Sequence, residues 1–231
     1  MKGSKYAVIG LGQFGMAIAE KLSARGAEVL AIDNNEQHIM AVKDHVAYAV
    51  TLDSTDKKAL DTQGLQDMDA AVVAIGENFE ALLLTVVYLK EIGVARIIAR
   101  AHGPQQRMIL EKIGIEEILS PEDEVGTAVA ERLINPNILT FMELPDDYEI
   151  VEIKAPEGSW GRTLDHIGLR DKYKLTVITI KRAFSERNNK GEEILAQHVL
   201  GVPSSNTEIQ ENDTLMVFGQ IKHIEKFCDI N

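Results

Sequence analysis

Cysteine is nearly absent from the 231-residue chain: Cys228 stands alone, so neither an internal disulfide framework nor a cysteine-based zinc cluster is available. Long apolar runs are missing too. The longest strongly apolar tract, 70–75, falls far short of the roughly 20 residues that a spanning helix needs. No signal-peptide pattern precedes the first strand-like segment, and neither a low-complexity tract nor a short-period repeat occurs. A basic stripe is the fourth absence. Acids outnumber bases 20 to 13 over residues 1–142 and 16 to 11 over residues 143–231, for a net charge of −12. Phosphate-backbone binding depends on clustered Lys and Arg, so a nucleic-acid reader is disfavoured. The same balance argues against docking on anionic lipid. At 45% apolar residues the chain can still bury a full core, which excludes disorder as its main state. These absences predict a soluble, cytoplasmic protein.

What is present begins with alternation. Short apolar runs at 6–9, 28–32, 48–52, 70–75, 96–99 and 118–119 read as strands. Helical patterns lie between them, near 14–22, 35–45, 56–63, 80–92 and 104–113. Buried strands separated by helices predict a Rossmann-type, doubly wound parallel sheet of the α/β class. One more helix is expected at about 122–135, stopped by Asn135–Pro136–Asn137. Turn chemistry at 144–147 places the domain boundary at 142/143. Residues 143–231 then form a smaller α+β domain, with strands at 148–153, 175–180 and 215–218. Its other segments are a helix at 163–173, a polar loop at 184–193 and a closing helix at 221–228.

The strongest motif is Gly10-Leu11-Gly12-Gln13-Phe14-Gly15, directly after a strand and opening a helix. Gly10 permits a tight turn, Gly12 lets a phosphate approach the backbone, and Gly15 lets helix pack closely on strand. The helix N-terminus adds free N–H groups and partial positive charge. Asp33 ends the second strand, 21 residues after Gly12, where a carboxylate accepts from both ribose hydroxyls and repels a 2′-phosphate. Asp53 and Ser54 follow the third strand, as adenine or ribose partners or as plain turn residues. Arg100 follows the fifth, as a phosphate partner or a solvated arginine. The six histidines show no metal or nucleophile spacing, and the second domain is small for a dehydrogenase. Binding without chemistry is the better reading. An NAD-dependent oxidoreductase or a redox sensor remains the alternative.

In combination, residues 6–15, 29–33, 72–76, 94–101, 110–114, 120–122 and 213–219 resemble the RCK (TrkA/KtrA) family of potassium-transport regulators, along essentially the whole chain. The likeness is closest to the single-unit KtrA type. It implies a cytosolic homo-oligomer, a ring often octameric, beneath a membrane-embedded potassium transporter subunit. An adenosine nucleotide (ATP or ADP, or NAD or NADH) would change the ring's shape and gate its partner. The resemblance places Gly10, Gly12, Gly15, Asp33, Asp53 and Arg100 on nucleotide-contacting positions. It places Glu122 at a dimer interface, where the family takes a divalent cation; an acid favouring the helix dipole would look the same. The family pattern often has arginine where this chain has Gln13. One charge-assisted bond to a terminal phosphate, worth about 1.5–3 kcal/mol, is then missing. Some relatives bind cyclic di-AMP in the second domain. Ile167, Arg170 and Ile180 lie in the corresponding stretch, where they are equally readable as core with one surface arginine.

Overall fold

The computed structural model describes residues 3–188 and 191–230, in two compact units, 1–124 and 125–231. The first unit alternates strand and helix. The segments are β1 Lys5–Ile9, α1 Gln13–Ala24, β2 Glu28–Asp33, α2 Glu36–Val42, β3 Tyr48–Thr51, α3 Lys57–Asp61 and β4 Ala70–Val73. They continue with α4 Phe79–Ile92, β5 Ile97–Arg100, α5 Gly103–Lys112 and β6 Glu117–Leu119. The six strands pair in parallel in the order β3-β2-β1-β4-β5-β6. This is the doubly wound arrangement, and its order reverses between β1 and β4.

Strand alternation explains why helices cover both faces. From β1, Ala7 and Ile9 enter the core that Leu82, Val86 and Leu89 of α4 complete. Val8, between them, faces the opposite core with Ala19 of α1 and Ile39 and Val42 of α2. All four residues of β4 are buried, as expected of a central strand covered on both sides. Asn78 caps α4 by accepting from the Ala81 N–H at 3.0 Å, and Gly93, left-handed at φ 90°, ends it.

The helix α6, Pro121–Ile134, leads out of the first unit. The second unit follows with β7 Ile138–Leu144, β8 Tyr148–Lys154, α7 Leu164–Ile167, α8 Leu169–Tyr173, β9 Thr176–Arg187, β10 Glu193–Val199, β11 Thr214–Gln220 and α9 Ile221–Cys228. Its sheet is antiparallel in the order β10-β9-β11-β8-β7. Ile153, Ile180, Leu215 and Val217 from the strands pack with Tyr173 of α8 and with Ile224 and Phe227 of α9. Burial pushes the Cys228 thiol up to about 11, so it stays protonated at neutral pH.

Three expectations change here. The turn at 144–147 is a hairpin: Asp146 and Asp147 adopt left-handed φ of 64° and 61°, and β7 pairs with β8. The second sheet therefore starts before the 142/143 boundary. The expected helix at 163–173 is two short helices, because Gly168 turns left-handed at φ 68° between them. The expected polar loop at 184–193 is strand at both ends: β9 runs on to Arg187, and β10, which begins at Glu193, pairs with it along its own whole length. Asn189 within that stretch lies outside the described residues.

Candidate nucleotide site

The carboxyl ends of β1, β2, β4 and β5 surround one cleft of about 860 Å³, a volume typical of small-ligand sites. Gly10, Gly12, Gln13, Phe14, Asp33, Asp53, Ser54, Arg100 and Glu122 all line it. Sequence spacing alone had scattered these residues over the first 122 positions; the topology gathers them at one sheet edge.

The β1–α1 loop is built by its glycines. Gly10 is left-handed at φ 90°, and a Cβ there would lie 2.9 Å from the Ile75 nitrogen. Gly12 precedes α1 in an extended conformation, with no side-chain cap on the helix. A Cβ at Gly12 would meet no atom within 4 Å, so the space above the first turn is open. Gly15 does not line the cleft. It packs under the loop, where a Cβ would fall 1.8 Å from the Gly10 carbonyl oxygen.

Asp33 ties the loop to the next element. Its Oδ2 accepts from the Leu11 N–H at 2.5 Å and its Oδ1 from the Asn35 N–H at 2.7 Å. The His38 Nδ1 stands 3.3 Å from Oδ2. Each carboxylate oxygen has two lone pairs, so one acceptor site on each remains for a hydroxyl pair. Asp53 is partly committed: the Thr55 N–H and hydroxyl donate to its Oδ1 at 2.9 and 2.7 Å. Those two bonds hold its carboxyl below the usual range. Ser54 is buried and accepts from the Thr85 hydroxyl of α4 at 2.8 Å.

Arg100 lies with its guanidinium carbon 5.3 Å from the centre of the Phe14 ring, beside the first turn of α1. One of its nitrogens, Nη2, donates to Glu122 Oε1. His102 Nδ1 is 3.8 Å from the other oxygen of Glu122. The N–H of the helix start, then Arg100 and His102, hold the Glu122 carboxyl low.

Glu122, where the resemblance implies a cation at a dimer interface, meets Arg100 and His102 within one chain. Among the described residues no three His, Cys, Asp or Glu side chains are grouped to hold a metal ion. The Glu122 carboxylate is itself paired with Arg100. Nor does the second unit present the expected second-messenger residues together. Ile167 and Ile180 are core residues at 2% and 0% exposure, packed within the unit, and only Arg170 is exposed.

Sequence reasoning missed His38, His102, Gly76 and Asn78, all of which line the cleft. Gly76 and Asn78 carried a signal, since they follow β4 at the edge where ligands lie. The histidines carried none, because no motif fixes their spacing.

No helix among the described residues is long and apolar enough to cross a membrane. The TrkA-N domain family matches residues 6–121 and the TrkA-C domain family residues 150–231. The Ktr system potassium uptake protein C of Bacillus subtilis is 35% identical over 223 residues, covering 96% of this chain and 95% of that protein. The Ktr system potassium uptake protein A of the same organism is 33% identical over 227 residues, covering 98% and 96%. Among solved structures, the GsuK channel bound to NAD shares the fold with a TM-score of 0.61 at 14% identity, over all of this chain and 39% of that one. The NAD(P)-binding domain of an exopolyphosphatase-related protein from Archaeoglobus fulgidus matches 56% of this chain and 96% of its own, at 26% identity and TM-score 0.50. With both domains present in order and near full-length relatives at this identity, the chain belongs to the TrkA/Ktr family of potassium-uptake proteins.

Proposed function

We propose that the chain is a regulatory subunit of a potassium-uptake system, which senses an adenosine nucleotide in the cleft of its first unit and transmits occupancy to a membrane-embedded partner. One observation carries the nucleotide reading. The uncapped start of α1, open above Gly12, and the Asp33 carboxylate at the end of β2 face the same cleft. The first binds phosphate through free N–H groups and the helix dipole; the second binds ribose hydroxyls and disfavours a 2′-phosphate. Potassium uptake is the function named for the relatives in Bacillus subtilis, and the chain spans nearly their whole length. A nucleotide biases a partner only through its differential affinity for two conformations. The chain's role in that scheme is binding and orientation, not turnover.

Gln13, neutral where the family pattern often has arginine, leaves Arg100 as the one arginine or lysine among the described residues that line the cleft. This favours ADP, NAD or NADH as ligands at least as much as ATP. Cyclic di-AMP has less support, since Ile167 and Ile180 are in the core. Assembly with further copies is supported by α6, none of whose residues is buried.

Calorimetric titration with ATP, ADP, NAD and NADH tests the reading. Asp33→Ala should weaken binding of the preferred nucleotide about tenfold or more, since hydrogen bonds to a charged acceptor are worth about 1.5–3 kcal/mol. Unchanged affinity would move the site elsewhere, and oxidation of NADH by the purified chain would favour an oxidoreductase.

A further inference from the structure

Among the described residues two buried side-chain nitrogens have no hydrogen-bond partner, Arg100 Nε and His38 Nδ1, and both residues line the nucleotide cleft. His38 has no role in the reading above. It stands in the first turn of α2, where its backbone N–H donates to the Asn35 carbonyl at 3.1 Å. Its Nδ1 faces Asp33 Oδ2 at 3.3 Å without the alignment of a hydrogen bond. The Asp33 side chain is only 9% exposed, and His38 is the only basic side chain in contact with it among the described residues. A buried carboxylate needs donors around it. A ring nitrogen carrying a lone pair would repel Asp33, whereas one carrying a proton attracts it. The neutral ring has one nitrogen of each kind, so the carboxylate selects the tautomer with the proton on Nδ1.

We propose that His38 is a positioning residue for ribose: its Nδ1–H holds the Asp33 carboxylate turned so that both oxygens keep a lone pair for the two hydroxyls. This rests on the nucleotide reading and deepens it. The Leu11 and Asn35 N–H groups each fix one oxygen from the backbone. His38 attracts the carboxylate from a further side. Because its N–H is out of line with the Oδ2 lone pair, it leaves that acceptor open to a hydroxyl. A vicinal diol needs both oxygens at once, so a small rotation of the carboxylate costs one of its two hydrogen bonds. A nucleotide without the hydroxyls makes no such demand.

Two measurements on the full chain test this. Long-range proton–nitrogen NMR at mildly alkaline pH reads the tautomer of His38. The expected form carries its proton on Nδ1, and Asp33→Ala should return the ring to the Nε2–H form that a free histidine prefers. Calorimetry with ADP and 2′,3′-dideoxy-ADP reads the ribose. His38→Leu should lower the preference for ADP over its dideoxy analogue about three- to tenfold, as the weakening of one hydrogen bond does, with dideoxy-ADP binding unchanged. His38→Asn, whose amide nitrogen is isosteric with Nδ1, should restore the preference. A proton on Nε2 in the wild type overturns the proposal, which keeps it testable even where the leucine variant fails to fold. So does an unchanged preference in His38→Leu, or an equal loss of both ligands, which would make the histidine merely structural. Wild-type protein that binds neither ligand, or both alike, would overturn the nucleotide reading itself, a result that no difference among His38 variants mimics.

Discussion

A Cβ on Gly12 would meet nothing within 4 Å, whereas one on Gly15, three residues later, would strike the Gly10 carbonyl. The two glycines therefore separate binding from folding. Gly12→Val should fold, because φ of −62° suits any residue, at a cost of about 1 kcal/mol for a poorer N-cap. It should still lose ADP binding by calorimetry, since its methyls fill the phosphate approach. Gly15→Val should instead lower the melting temperature, with overpacking worth about 1–3 kcal/mol or more. Normal ADP binding by Gly12→Val would remove the loop from the site. The motif was legible because each glycine answers a local backbone demand. The pairing of Arg100 with Glu122, 22 residues apart, was not legible, because only strand order brings them together.

Among elements, the hairpin of β9 and β10 shows where reading along the chain stops. Its outer half, with Ser185, Glu186 and Arg187 in sequence, has no apolar alternation, so it reads as loop; pairing with β10 makes it strand. Near its base, Arg182 donates from Nε and Nη2 to Asp213 at 2.8 and 2.7 Å. The Asp213 side chain is fully buried and also accepts from the Gln210 N–H at 2.8 Å. Removing the arginine strands a buried carboxylate, which costs several times what an exposed pair contributes. Arg182→Ala should therefore destabilise the second unit by about 3 kcal/mol, read as a lower denaturant midpoint of its unfolding transition. A loss below about 1 kcal/mol would show that water reaches Asp213.

For the whole molecule, the unpaired surface that matters is α6. Val125, Val129 and Leu133 recur at four-residue spacing and are 62%, 48% and 76% exposed, with Ile134 beside them at 72%. Such a stripe on one helix face is the pattern of a helix that packs against another protein surface. Light scattering should find a multimer of at least four chains. Leu133→Glu should reduce its mass at micromolar concentration while leaving the melting of the first unit unchanged. A clean wild-type monomer would contradict assembly through α6.

The chain's own residue order determined the α/β alternation, the glycine loop, the Asp33 position and the closing helix. Each follows from local periodicity, capping or turn chemistry that neighbouring residues specify among themselves. Tertiary structure decided what depends on partners far along the chain. It made the turn at 144–147 a hairpin of the second sheet, and it sent Ile167 and Ile180 inward rather than toward a ligand. It also joined Glu122 to Arg100. A carboxylate's chemistry is written in its residue type, but which charge it meets is set by the fold.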